Sequence, residues 1–428
     1  MRVRVSIDLV IFKRTHSLNM PVRLSAVPAA AVMPTPPRPI VWLLLLAVIV
    51  SSGVALTLFL WRTDVRASGT WFWLCLLVFP FLAWAFLFGI RLLVYDARVN
   101  NVHTRNRLRK ETLRSETTRG QLPIAVLASA YETSMGQSDL GEKLINGGVG
   151  FQPVKPCDGA DAIQCALLGE NTSEKAITVE SIATQMRNIL MHIGPKLEAL
   201  PNTVPVHVGL QISAGVDPSV VSQAWHDVSR ELARRYASTS SIEATGLLAL
   251  DDWLDAKDPE LKESAFLILA LQLYPVAVDR MAEGMSALLL ARDLRNASGD
   301  AIAFIHRPVA WDESDIQPRC SDALLWGTHD AGQIGGLWTG GLESATLNRV
   351  VAVADTLEIG KNQDPGLTHF DLDAALGQLG AAVGWLATAA AIEQCCRDAK
   401  PQLVACSESG NNRMLVVSPG VSTIKGNG

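Results

Sequence analysis

The sequence predicts a mixed α/β domain behind a two-helix transmembrane hairpin, and three observations carry the prediction. Two long apolar runs lie between Val41 and Tyr95, charge divides sharply near residue 119, and beyond Gln121 short β-like runs alternate with helical ones.

The first run, VWLLLLAVIVSSGVALTLFLW from Val41 to Trp61, carries no charge. It has about the twenty apolar residues that a helix needs to cross a hydrocarbon core ~30 Å thick. The second, WFWLCLLVFPFLAWAFLFGIRLLVY from Trp71 to Tyr95, is uncharged until Arg91 and holds Trp71, Trp73 and Tyr95 near its ends, where amphipathic rings favour the headgroup layer. Pro80 lies mid-run, and a kink rather than a break is expected there, because membrane helices tolerate the lost N–H. The short connection WRTDVRASGT makes the pair an antiparallel hairpin. A cleaved signal peptide is set aside, since the first run is too long and lacks a small-residue cleavage site.

Orientation follows from where cations sit. Arg2, Arg4, Lys13, Arg14, Arg23 and Arg38 precede the first span; Arg98, Arg105, Arg107, Arg109, Lys110, Arg114 and Arg119 follow the second; only Arg62 and Arg66 occupy the loop. Both termini are therefore expected in the cytoplasm. Residues 1–119 hold sixteen Lys/Arg and five Asp/Glu, a net of +11, so the whole-chain −5 leaves −16 for residues 120–428. An acidic domain of this kind is poorly suited to nucleic acid, whose phosphates need a basic footprint. The stretch HTRNRLRKETLRSETTRG reads as a basic helix ended by Gly120, its cations beside anionic lipid.

The expected organisation is a disordered basic segment over 1–39, the hairpin over 40–95, a basic juxtamembrane helix over 96–120, and a soluble domain over 121–428 with a short disordered tail. In that domain LPIAVLASAY (Leu122–Tyr131), VPVHVGLQIS (Val204–Ser213), FLILALQLYPV (Phe266–Val276), MSALLLAR (Met285–Arg292), AIAFIHRP (Ala301–Pro308) and MLVVSP (Met414–Pro419) are strand candidates. Ile182, Met186, Ile189, Leu190, Ile193 and Leu197 recur at helical spacing and predict a helix over 175–199. Asp217-Pro218 is a cap and first-turn signal for the next helix, whose apolar face is Val221, Trp225, Val228 and Leu232. LDAALGQLGAAVGWLATAAAIEQCC (Leu372–Cys396) is long and apolar, but Ala and Gly gain little from lipid and Gln378 adds a polar cost, so it reads as a closely packed core helix and not a third span.

Seven scattered cysteines form no zinc-type CxxC pair, and one of them, Cys75, lies within a span. They read as reduced thiols in a cytosolic setting, with Cys395 and Cys396 as small buried apolar groups. No Walker A loop, HExxH, G-x-S-x-G or G-x-G-x-x-G occurs, so nucleotide hydrolysis, zinc proteolysis and ordinary serine hydrolysis lack their minimal signals. The carboxylates Asp251, Asp252, Asp255 and Asp258 read as a solvated helix end in preference to a metal site. Gly335, Gly336, Gly340 and Gly341 bracket Trp338 in what reads as a flexible structural turn.

Four segments then resemble, in order, the β-ketoacyl synthases, the condensing enzymes of the thiolase superfamily. MAEGMSALLLARD (Met281–Asp293) resembles their Glu-Gly-Ala strand, and WTGGLESATLNRVVAVADTL (Trp338–Leu357) their histidine-bearing turn and helix. ALGQLGAAVGWLATAAAI (Ala375–Ile392) is similar to the segment that opens with their second histidine, and SESGNNRMLVVSP (Ser407–Pro419) to the Gly- and Asn-containing loop before their last strand. The resemblance covers about Phe266 to Pro419. It implies a thiolase-like layered α/β fold and a homodimer paired along a sheet edge.

Condensing enzymes use a cysteine thiolate as acyl acceptor, with two histidines, or a histidine and an asparagine, steering protons and holding the carbonyl oxygen. In this chain Gln378 stands where the second histidine falls, no histidine occupies Thr339 to Gly341, and no cysteine lies from Ala166 to Arg319. His329, just before the turn, reads as a surface or core-satisfied residue. The resemblance therefore implies an inactive relative, with no catalytic, cofactor-binding or metal-binding residue to assign and no cofactor.

A second resemblance joins the Trp-rich hairpin and its basic helix to membrane proteins of Gram-negative bacteria that accompany type VI secretion effector modules. It implies the bacterial inner membrane, with two spans and both termini cytoplasmic, and a protein partner, either an effector or a secretion component. The expected function is a membrane-anchored, non-catalytic adaptor or scaffold. The alternatives are an acyltransferase or condensing enzyme of the thiolase superfamily with a rearranged active site, and a membrane-linked immunity protein.

Overall fold

The structure is a computed structural model. It describes residues 24, 27–60, 69–156, 161–169, 172–213, 215, 217–232, 236, 238–242, 245–256, 258–292, 301–364 and 366–420. The chain divides into two units, one spanning Val22–Thr117 and a larger one built from Thr118 onward.

In the smaller unit, α1 (Pro39–Leu60) is followed by α2 (Thr70–Trp73), a π-helical turn over Leu74–Val78, and the long α3 (Phe79–Gly120). The helices Pro39–Leu60 and Thr70–Gly120 are each long and apolar enough to cross a membrane. Helical structure continues through Pro80, and the turn ahead of it widens to π form, which accommodates a ring that would clash with the preceding carbonyl. Gly53 of α1 meets that ring: a Cβ there would stand 2.2 Å from Pro80 Cγ. The pairing is completed by Trp84 Nε1, which donates to Trp42 O at 2.9 Å, and by the Trp42 and Phe88 rings, 5.2 Å apart.

Residues 1–23, expected to be disordered, lie outside the described residues, as does most of the inter-span connection and the tail from 421. Over Pro28–Arg38, assigned from sequence to the same disordered segment, the chain is held against α3. The Asn106 amide donates to Ala31 O at 3.0 Å and accepts Ala31 N–H at 2.9 Å, and Arg109 Nε donates to Pro28 O at 2.7 Å. Ala31, Pro34 and Pro37 are half-buried while the residues between them are exposed. A three-residue period is that of polyproline II, which the prolines favour.

The larger unit opens with β1 (Ile124–Thr133), α4 (Leu140–Ile145) and the hairpin β2 (Gln152–Val154) and β3 (Ile163–Cys165). Then come α5 (Val179–Ala199), β4 (Val206–Ser213), α6 (Pro218–Glu231), β5 (Ser238–Ser241), α7 (Ala249–Asp255), α8 (Pro259–Lys262), β6 (Ala265–Gln272) and β7 (Gly284–Ala291). The remainder holds β8 (Ala303–Ile305), β9 (Val309–Ala310), α9 (Ile316–Gly327), β10 (Gly336–Gly340), α10 (Ser344–Thr356), β11 (Thr368–Asp371), α11 (Leu372–Ala375), α12 (Val383–Asp398), β12 (Gln402–Glu408) and β13 (Asn411–Pro419).

Strand order reveals an internal repeat. One path reads β5-β4-β6-β7-β1 and the other β11-β10-β12-β13-β8. In each the first three strands are parallel and the last two antiparallel. The halves join where β1 runs antiparallel to β8, Ile124 opposite Ile305. Helices α5 and α6 cover the outer face of the first half, packed on Leu127, Leu267, Leu269 and Leu289. The opposite faces contribute Ile268, Leu288, Leu290, Val404 and Leu415 to a central core that includes α12 and α7. Strands β6 and β7 are buried at every position, as expected when both faces of a sheet are covered.

Capping follows the local chemistry. Thr178 and Ser181 form a reciprocal box at the start of α5, and the Asp217 carboxylate accepts Ser219 N–H at 2.8 Å at the start of α6. The Leu372–Cys396 segment is a core element, with α12 almost wholly buried. It is not continuous: Gly377 and Gly380, with positive φ, turn the chain between α11 and α12.

Two expectations are corrected. Of the Gly335–Gly341 stretch, Gly336–Gly340 is a buried strand, β10, and Gly341 alone lies in the turn that follows; the strand's glycines admit close neighbours, since a Cβ on Gly336 would stand 2.2 Å from Gln402 Oε1. The acidic cluster is a solvated helix end only in part: Asp252 and Asp258 are exposed, as expected, but Asp251 and Asp255 are not. Asp251 is buried and paired with Arg307, itself 1% exposed, and Asp255 accepts Arg307 Nη2 at 2.9 Å. Periodicity marked the acids as outward-facing because the partner arginine lies outside their own helix.

Candidate functional site

The four segments that resemble condensing-enzyme motifs converge where the two halves meet. Gln378 forms a parallel bridge with Met281; its N–H donates to Arg280 O at 2.8 Å, and its carbonyl accepts Ala282 N–H at 3.0 Å. The turn after β10 meets α11 where the Asp373 carboxylate accepts Gly341 N–H at 2.6 Å. Gly341, at φ +70, is also pressed against the β12 end, where a Cβ would lie 2.3 Å from Ser407 O. No larger residue fits that approach.

Glu408, at the end of β12, is at the centre of this junction. It is 4% exposed, and one carboxylate oxygen accepts Leu247 N–H at 3.0 Å, in the 3-10 turn Gly246–Leu248 that leads into α7. The other oxygen lies against α12, where a Cβ on Gly384 would stand 2.3 Å away. Burial pushes the Glu408 carboxyl up to about 7, against the pull of the Leu247 N–H and Arg413. Burial likewise raises Asp373 to about 6.

Two buried glutamines close the junction from the first half. Ala381 N–H donates to Gln272 Oε1 at 3.2 Å, and Gln211 Nε2 donates to Ala381 O at 2.5 Å. The turn ahead of α12 is therefore pinned by side chains from β4 and β6. Glu283, the acid of the Glu-Gly segment, is also committed to structure: it accepts Leu168 N–H at 2.8 Å, Tyr274 N–H at 3.0 Å and Lys175 Nζ at 2.5 Å.

The thiol nearest these groups is Cys406, fully buried on β12 and held well above its ordinary range by burial and by the Glu408 charge. Cys320 is pushed up to about 12 by burial, and Cys395 and Cys165 are raised too. A thiol kept protonated is a poor nucleophile. Cys157 lies outside the described residues. Among the described residues no group of His, Cys, Asp and Glu could hold a metal ion. His329 packs its ring 6.3 Å from that of His306, whose Nε2 lies 2.8 Å from Ser418 Oγ.

A groove of about 760 Å³ lies at the starts of β10 and β12 and the end of α12, lined by His369, Phe370, Arg397, Lys400 and Gln402 among others. The junction lies toward the opposite ends of those strands.

Sequence reasoning singled out Gln378, Thr339–Gly341 and the Ser407–Pro419 segment but gave no role to Glu408 within that segment, nor to Asp373, Gln211 and Gln272. The glutamines left a faint signal, as polar residues inside otherwise apolar strands.

No family model matches the sequence, and no curated protein matches it either. Solved structures do match in fold. The ishigamide ketosynthase/chain length factor aligns at 13% identity with a TM-score of 0.51, covering 69% of this chain and 99% of that one. PfaC keto synthase-chain length factor aligns at 10% identity and TM-score 0.52, over 70% of this chain and 43% of that one. An oxazolomycin ketosynthase domain from a Streptomyces albus strain gives 12% identity and TM-score 0.50, over 70% of this chain and 74% of that one. The larger unit thus has a ketosynthase-like, thiolase-type fold.

Proposed function

We propose that this chain is a membrane-tethered protein whose ketosynthase-like domain acts as an adaptor or scaffold, by binding a partner and not by condensing acyl groups. The observation that carries this reading is the Glu408 carboxylate on the Leu247 amide. A developing oxyanion needs free N–H donors, and the buried Leu247 N–H is already taken by an internal carboxyl. Gln378 in place of a histidine, and thiols raised by burial, weigh the same way. The partner class we infer is an effector or secretion component, on the strength of the hairpin's resemblance to type VI secretion-associated membrane proteins. The domain's net charge of −16 argues for a protein partner over a nucleic acid.

The test is to incubate the detergent-solubilised full chain with acyl-CoA and acyl-carrier donors and to read its intact mass. An unchanged mass is the expected outcome; a covalent acyl adduct overturns the adaptor reading in favour of acyl transfer. That second reading draws its support from the fold likeness, since the matched structures are themselves ketosynthases.

The cation distribution supports a hairpin with both termini cytoplasmic, and the bacterial inner membrane is inferred from the hairpin's resemblance alone. A reporter fused after Gly428 is then active only when it requires the cytoplasm, and periplasmic activity reverses the assignment. By resemblance to the family we further propose a homodimer, checked by the mass of the detergent-solubilised particle.

A further inference from the structure

Helix α7 is tied at both ends by side chains from distant parts of the chain. At its start, Glu408 accepts the N–H of Leu247 at 3.0 Å. At its finish, Asp255 Oδ1 accepts from Arg119 Nε and from Arg307 Nη2, each at 2.9 Å, and Asp251 one turn earlier pairs with Arg307 Nη1. Arg292 Nη1 adds a bond to Trp253 O at 2.9 Å. Between the ties, Leu247, Leu250, Trp253 and Leu254 are buried in the central core.

Arg307 is 1% exposed and has no room to swing, whereas the Arg119 side chain is 39% exposed and sits in the last turn of α3. One tie is thus fixed and the other accessible. A helix of seven residues is about 10 Å long and packed on its apolar side. It transmits a displacement of one end to the other, because close-packed elements shift as units.

We propose that Arg119 and Glu408 are coupled through α7, so that loosening Arg119 from Asp255 frees the Leu247 amide and opens the junction between the halves. The Arg119–Asp255 pair is then the input of a conformational switch, and the junction its output. The coupling holds whether the domain binds a partner or transfers acyl groups.

The experiment is hydrogen exchange by mass spectrometry on the detergent-solubilised full chain. In Arg119→Ala, peptides covering 246–248 and 408–412 are expected to exchange at least tenfold faster than in the wild type. Coupling is reciprocal, so Glu408→Ala, which removes the acceptor of the Leu247 N–H, is expected to speed exchange around 117–121. Arg397→Ala, which among the described residues cuts ion pairs to Asp139 and Glu142, is the control and leaves both regions unchanged. If Arg119→Ala misfolds, Arg119→Lys, which keeps the charge but loses the two-pronged contact, replaces it with a smaller expected rise at the same peptides. Faster exchange confined to 249–258, or equal loosening in the control, overturns the proposal.

Discussion

The indole N–H of Trp385 donates to Gln211 Oε1 at 2.5 Å, and the amide nitrogen of the same glutamine donates to Ala381 O at 2.5 Å. One buried side chain from β4 in the first half therefore holds both the first turn of α12 and the turn that precedes it. A buried polar group is tolerable only when satisfied. Here the polar bonds also bind the two halves together, across faces that are otherwise apolar.

Gln211→Leu leaves the Trp385 N–H and the Ala381 carbonyl without these partners. Each orphaned buried group costs about 1–3 kcal/mol, so the variant is expected to lose about 2–4 kcal/mol of stability. Denaturant unfolding of the full chain in detergent, followed by tryptophan fluorescence, measures it; a loss under half a kcal/mol contradicts the assigned role.

Removing Arg307 strips Asp251 and Asp255 of their buried partner. Breaking a buried pair by deleting one member costs about 3–5 kcal/mol. Arg307→Met is expected to fall in that range, and the further change Asp251→Asn to recover part of the loss. Additive penalties in the double variant would show that the two side chains do not interact.

Burial raises Glu408 from 4.5 to about 7, and Asp251 and Asp373 from 3.8 to about 6. The folded state thus binds these protons more tightly than the unfolded chain. Their stabilising contribution is fully present below about pH 4 and is lost as pH rises through 6 to 7. Thermal midpoints are expected to be higher at pH 5 than at pH 8, and Glu408→Gln to raise the midpoint at pH 8 while changing it little at pH 5. The gain at pH 8 is on the order of 3 kcal/mol, set by the free-energy equivalent of such a pKa change. A Glu408→Gln gain that is equal at both pH values would mean that the carboxyl is not buried.

A methyl group at position 384 meets the Glu408 carboxylate at 2.3 Å. Overpacking of this kind costs about 1–3 kcal/mol, so Gly384→Ala is expected to destabilise by that amount. In a Glu408→Ala background the carboxylate contact is gone and Leu247 Cδ1, at 3.0 Å, is the remaining neighbour, so the same change is expected to cost less than half as much. Equal costs in the two backgrounds would show that Gly384 and Glu408 are not neighbours.

What the sequence by itself determined is local and periodic. Charge-free length marked the two apolar helices, and runs of Val, Ile and Leu marked β1, β4, β6, β7 and β13 within a few residues. Small side chains marked α12 as a core helix. These follow from which face of an element meets water, a property that each stretch of chain carries in its own spacing. Only the tertiary structure decided the polar pairing. Glu408 and Leu247 are 161 residues apart, and Trp385 and Gln211 are 174 apart. No local pattern names such partners, so Asp251 read as solvated and β10 as a loop until Arg307 and Gln402 were brought beside them. The repeat of five strands in each half belongs to the same class, because strand order depends on long-range pairing that hydropathy does not record.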